Sequence, residues 1–163
     1  MKLKEAMDKY GEYEVKEDEL KKVLQEPKPK TGWDLENEDV YWYIDTNGHI
    51  IETNWCGILC EMETRKIGNI FLTKQEAKFE RERRKIETIM LKYGRRTFKH
   101  YRHNYCIYRG ASEDKINITL WENDNYASIF FDTKKLAQKA INEIGEERLK
   151  KYYFRTEEEN EKG

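Results

Sequence analysis

The chain has 163 residues, 37% of them hydrophobic and 39% charged, with 31 Lys plus Arg against 32 Asp plus Glu and a mean hydropathy of −1.05. That composition suits one medium domain or two small ones with a thin core, and its 4 Trp, 11 Tyr and 6 Phe, grouped in short alternating runs, argue against a disordered polymer. No run approaches the ~20 apolar residues of a membrane span, the charged start Met1 to Asp8 lacks the apolar run of a signal peptide, and the odd number of cysteines points to reduced thiols, so a soluble intracellular protein making no membrane contact is expected.

Residues 1–26 read as an N-terminal helical element: Lys2 to Tyr10, a turn, then Lys16 to Leu24 with Glu17, Asp18 and Glu19 complementing the helix dipole and Leu20, Val23 and Leu24 on one narrow apolar face. Helices this short are marginal alone and must dock on the main body or on a partner. Residues 27–32, with Pro27 and Pro29, form a stiff linker, because each proline fixes its own φ and biases its predecessor toward extended geometry.

An internal repeat follows. In the first copy, residues 33–94, Val40 to Asp45 is an aromatic and β-branched run, Thr46-Asn47-Gly48 a turn expected to be type I′, and His49 to Trp55 a second run. After an irregular stretch come a third run, Ile67 to Leu72, and a helix opening at Thr73. In the second copy, residues 95–155, Asn104 to Tyr108, Lys115 to Trp121 and Tyr126 to Phe131 are the runs, and a helix opens at Asp132 or Thr133. The spacing predicts two tandem β-β-β-α units with antiparallel sheets covered by helices, an α+β protein ending in an acidic tail, residues 156–163. Thr73 with Glu76 reads as a capping box, and Gly145 as a helix stop. Between Phe79 and Ile86 the first helix carries only Glu80 to Lys85, so that part is expected to be solvated or to meet a charged partner. Beyond Gly145, Glu146 to Phe154 resumes as a terminal helix.

Charge is segregated although it nearly cancels. Asp34 to Glu63 holds eight acids and no Lys or Arg, whereas Thr88 to Ser112 holds six Lys and Arg and no acid. Either the two stretches pair within the molecule, or one is displayed and steers an oppositely charged partner. Candidate partner anchors are Trp42, Tyr43 and Trp55 with Asp39, Asp45 and Glu52; candidate phosphate or nucleic-acid contacts are Arg95, Arg96, Lys99, Arg102 and Tyr101, where cations alternate with rings. Asp45 and Glu52 could also face each other across the hairpin as a carboxylate pair. Cys56, Cys60, His100, His103 and Cys106 match no standard zinc spacing, and burial of Cys56 and Cys106 as small apolar residues is the expectation. A nucleophile elbow, a Walker loop, a dinucleotide fingerprint and a zincin motif are all absent, so neither catalysis nor a cofactor is expected.

The opening Met-Lys-Leu-Lys-Glu-Ala, Lys28 to Leu35, Tyr41 to Asp45 followed by Gly48, Gly68 to Ala77, and Phe130 to Thr133 with Ala137 to Ile141 resemble small accessory, counter-defence-type proteins of Firmicutes phages and prophages. The resemblance covers most of the chain but rests on structural joints, and it carries no site residues. It implies a viral origin more firmly than any activity; small accessory proteins of such phages often counter bacterial immunity, and a monomer or homodimer in the host cytoplasm is expected. The expected mode is stoichiometric docking on a defence complex, most of all a CRISPR effector nuclease or its ribonucleoprotein. The alternatives are a sponge for a signalling nucleotide and an RNA or DNA binder in phage gene control.

Overall fold

The computed structural model describes residues 30–110, 114–122 and 129–155, with Glu5 and Lys9. The acidic tail, most of the linker and the N-terminal helical element, apart from the helical Glu5 and Lys9, lie outside the described residues. Thr31 caps a 3-10 turn, Gly32–Asp34, and its side chain and amide both bond the Asp34 carboxylate. Strand β1, Val40–Ile44, then pairs antiparallel with β2, Ile50–Asn54, setting Tyr41 opposite Thr53 and Trp42 opposite Glu52.

The connection between them differs from the expected type I′ turn. Of its central residues only Gly48 has a positive φ, 81°, and the Gly48 amide closes back on the Asp45 carbonyl at 3.1 Å. Asp45 explains the change: its carboxylate accepts from the amides of Asn47 at 2.9 Å and His49 at 2.7 Å, stabilising a longer loop in which Asn47 need not go left-handed.

The stretch expected to be irregular contains helix α1, Leu59–Lys66, which leaves no room for a third strand before the next helix. Residues 67–72 are squeezed between the end of α1 and the cap of α2, Lys74–Tyr93, so Phe71 makes only an isolated antiparallel bridge to Trp42. The second half repeats this economy. Strands β3, Tyr105–Arg109, and β4, Ile116–Leu120, pair antiparallel, while Phe130 bridges Arg95 and Phe131 bridges Tyr105. Each predicted three-stranded sheet is therefore two-stranded with single rungs beside it. In both halves the Trp that follows the second strand donates its amide to the residue preceding the first, Trp55 to Asp39 at 2.8 Å and Trp121 to Asn104 at 2.7 Å.

Helix α2 is capped by the Thr73 hydroxyl on the Glu76 amide at 3.1 Å, and α3, Lys134–Ile144, by Thr133 on the Leu136 amide at 3.2 Å. Gly145, at φ 88°, ends α3, and α4, Glu146–Arg148, runs into a single π-helical turn, Leu149–Tyr153. Among the described residues the architecture is α+β: four helices and two separate two-stranded antiparallel sheets packed on them.

The cores are unequal. The larger joins Ile86 and Met90 of α2 to Ile107, Ile116, Phe131, the apolar face of α3 and Leu149, while the smaller holds only Leu35, Tyr41 and Trp55 with Tyr43, Ile70 and Leu72 at its edge. As expected, each sheet is covered by the helix of its own unit, α2 lying on β1 and β2 and α3 on β3 and β4, but Ile86 and Met90 of α2 also enter the second core and so tie the halves together. None of the described helices is long and apolar enough to cross a membrane.

Candidate functional site

The first half presents a face that the sequence reading missed. Helix α1 starts because Glu61, itself buried, accepts the amides of Cys56 at 3.0 Å and Ile58 at 3.1 Å, and the Tyr41 hydroxyl at 3.2 Å. Burial and the adjacent Glu61 carboxylate in turn push the Tyr41 phenol well above its ordinary value. With its carboxylate turned inward, the helix leaves Leu59 73% exposed, and Ile58 and Met62 are exposed beside it. Arg65, one turn on from Met62, stacks between two indoles, 5.0 Å from the Trp33 ring and 4.7 Å from the Trp55 ring, which carries the patch across to Trp33, itself 64% exposed. Exposed Glu36, Glu38 and Glu63 belong to the same part of the chain. The missed signal was Glu61 in a first turn and Arg65-Lys66 in a last turn, with apolar residues at 58, 59 and 62.

The predicted anchors are divided. Trp55 is 5% exposed and its ring is packed edge-on against Tyr41 at 5.9 Å, so it is a core residue. Tyr43 shares the Tyr41 face of β1, whereas Trp42 points to the other face and donates its indole N–H to Glu52 at 3.1 Å. Asp45 and Glu52 do not form a carboxylate pair: Glu52 is opposite Trp42, and Asp45 is spent on its own turn and on His49 Nδ1 at 3.2 Å. Burial alone would raise the Asp45 pKa, but the His49 and Asn47 bonds bring it below the ordinary value. Asp39 is lowered by its ion pair with Lys30 and by the Glu36 amide.

The basic island pairs within the molecule, but not with the acidic strands. Arg95 lies 3.1 Å and Lys99 3.3 Å from Asp132, and Arg96 lies 2.8 Å from Glu87. Arg95 also donates to Asn104 at 2.9 Å. That asparagine, fully buried, accepts the Lys99 amide and donates to the carbonyls of Lys99 and Arg102, so it ties the two ends of the loop together. Tyr101, at φ 60°, is driven out into solvent, and with Arg102, His100, His103 and Trp121 it lines a cleft of about 560 Å³. The ring and cation recipe survives there in Tyr101 and Arg102, while Arg95, Arg96 and Lys99 are held by carboxylates.

Cys106 is buried, as expected, and burial raises its thiol pKa; Cys56 is exposed instead, because α1 begins beyond it rather than covering it. Among the described residues no three His, Cys, Asp or Glu side chains are placed to hold one metal ion. Comparison of the chain with protein-family models, with curated proteins and with solved structures returns no match in any of the three.

Proposed function

We propose that this chain is a phage-encoded inhibitor that acts without catalysis, docking on a host immune complex in the bacterial cytoplasm and covering the surface where that complex holds nucleic acid. In this reading the chain is an N-terminal helical element followed by two tandem units, and the first unit is the one that docks. The observation that carries it is the α1 face: Ile58, Leu59, Met62 and Trp33 are exposed, and Glu36, Glu38 and Glu63 are exposed in the same part of the chain. A nucleic-acid groove is lined with cations and steers such a segment toward itself, and the apolar residues then supply anchors that a polyanion alone lacks. A CRISPR effector nuclease is the partner class this chemistry suits best.

Titration of such a nuclease with the purified protein should stop cleavage at about one equivalent, as expected for a tight stoichiometric complex. Leu59→Glu and Trp33→Ala should weaken inhibition at least ~10-fold without unfolding the chain, since both side chains are exposed. Undiminished inhibition by both variants, or multiple turnover of a substrate by the protein itself, would overturn the reading. The cleft lined by Tyr101, Arg102 and Trp121 favours a second reading, a nucleotide sponge or nucleic-acid binder. It requires stabilisation by a nucleotide, or salt-sensitive retention of RNA or DNA, that Arg102→Ala abolishes.

A further inference from the structure

A second cavity, of about 580 Å³, lies between the β1–β2 turn and α2. Ile44 and Ile89 give it an apolar part, and Arg81, Arg84, Lys85 and Arg148 bring four cations to it from α2 and α4. The carboxylates available do not match them. Glu82 alone serves Lys85 at 2.7 Å, Arg148 at 3.0 Å and, more distantly, Arg81 Nε at 3.9 Å. Glu80 bonds Arg84 at 3.0 Å but also carries Arg83 at 2.7 Å. Asp45 lines the cavity too, yet its oxygens are taken by the Asn47 and His49 amides and the His49 ring.

Arg81 shows the shortfall most directly. Its Nε is buried and has no hydrogen-bond partner among the described residues, and its Nη1 reaches only the Gly48 carbonyl, at a long 3.4 Å. The covered Nε cannot itself meet a ligand, but Arg81 lines the cavity, and the other N–H groups of a guanidinium match phosphate oxygens in pairs. Arg84 is held in place by Asn69 as well as Glu80, so one wall of the cavity is fixed before any ligand arrives.

We infer that this cavity binds a small organic phosphate, its phosphate groups on Arg81, Lys85 and Arg148 and its less polar body against Ile44 and Ile89. The volume falls in the range of small-molecule sites, and the mixture of apolar floor and convergent cations suits a phosphorylated metabolite or nucleotide better than a bare inorganic anion. The inference does not depend on the docking face, which lies on other residues, so Leu59→Glu should leave phosphate binding intact.

Isothermal titration and thermal shift with ATP, sodium pyrophosphate and sodium sulfate at matched ionic strength test it, with a single-stranded oligonucleotide as a fourth arm. ATP should bind at least ~10-fold more tightly than sulfate and raise Tm. Lys85→Gln and Arg148→Gln, both at partly exposed positions, should each weaken ATP binding severalfold, whereas Lys139→Gln, on the exposed side of α3 and outside both clefts, should not. The inference is overturned if ATP produces no heat and no Tm shift at millimolar concentration, if both variants bind as the parent does, or if the oligonucleotide binds more tightly than ATP through the same residues. Should Arg81→Gln fail to fold, Lys85→Gln and Arg148→Gln still decide the matter.

Discussion

The two hairpins are built alike and filled differently. Around β3 and β4 the sheet is closed by Phe131, by Ala137, Ala140, Ile141 and Ile144 of α3, and by Ile86 and Met90 of a helix that follows the other hairpin. Around β1 and β2 the interior is a tyrosine, a tryptophan and a leucine, and the nearby apolar residues of α1 face outward. Burial of apolar area is what separates a stabilising element from a presented one. The second region holds most of the buried apolar area, and the first leaves large apolar side chains exposed.

The sharpest way to break that comparison is to remove one large ring from each side. Phe131→Ala should cost about 3–5 kcal/mol and lower the unfolding midpoint of the whole molecule, since the ring is fully buried among three elements. Trp55→Ala should cost about 3 kcal/mol, at the low end because its neighbours lie near the surface and can collapse inward. Amide exchange separates the two: Trp55→Ala is expected to lose protection in β1 and β2 while α3 keeps its own. Equal loss in both regions would mean a single cooperative unit.

Next in size are two buried asparagines that no periodicity marks. Asn104 satisfies its amide and carbonyl with Arg95, Lys99 and Arg102, and Asn69 ties the Ile44 carbonyl at 2.8 Å to Arg84 at 3.0 Å. Asn104→Ala should cost about 2–3 kcal/mol by leaving several backbone groups unpaired, and Asn69→Ala about 1–2 kcal/mol, both read from urea denaturation. A reversed order would place the tighter polar joint in the first region rather than the second.

These asparagines also show where reading the chain ends. Hairpins, helix starts at Thr73 and Thr133, and the stop at Gly145 were legible because each depends on neighbours in sequence. The third strands were not, because whether Phe71 and Phe131 extend a ladder depends on room left by α1 and by the caps. Trp55 looked like an anchor because a ring in a strand says nothing of which side is covered, and the exposed face of α1 was hidden by the shortness of that helix. The charged run Glu80 to Lys85 was expected to be solvated or to meet a charged partner. Most of it is half-buried against the first hairpin and α4, because long side chains can cover a joint while pairing with one another.

Smaller effects should come from the caps. Thr133→Ala is expected to cost about 1 kcal/mol, and Thr73→Ala somewhat less, because Glu76 also bonds the Leu72 amide at 2.9 Å and continues to hold the start of α2. Helicity by circular dichroism at intermediate urea would show the difference; a larger loss at Thr73 would mean that the long helix leans on its first turn more than on the second core.

The smallest expected effect is a change in slope rather than in midpoint, and it tests the joint between the regions. Glu82 is held below the ordinary carboxylate value of 4.5 by bonds from Lys85 and Arg148; burial would raise Glu80, but bonds from Arg83 and Arg84 lower it as well. A carboxylate depressed in the folded state binds its proton more readily when unfolded. Its contribution is therefore complete above pH 4.5 and is lost as pH falls through the lowered folded-state value. Arg84 reaches Asn69 of the first region while it bonds Glu80, so acid should loosen the seam before it touches either core. Glu80→Gln removes that titration, and its stability should fall less steeply with acid than that of the parent. An unchanged slope would mean that the seam is held by Asn69 and the Gly48 carbonyl alone, with the charges around it contributing only solvation.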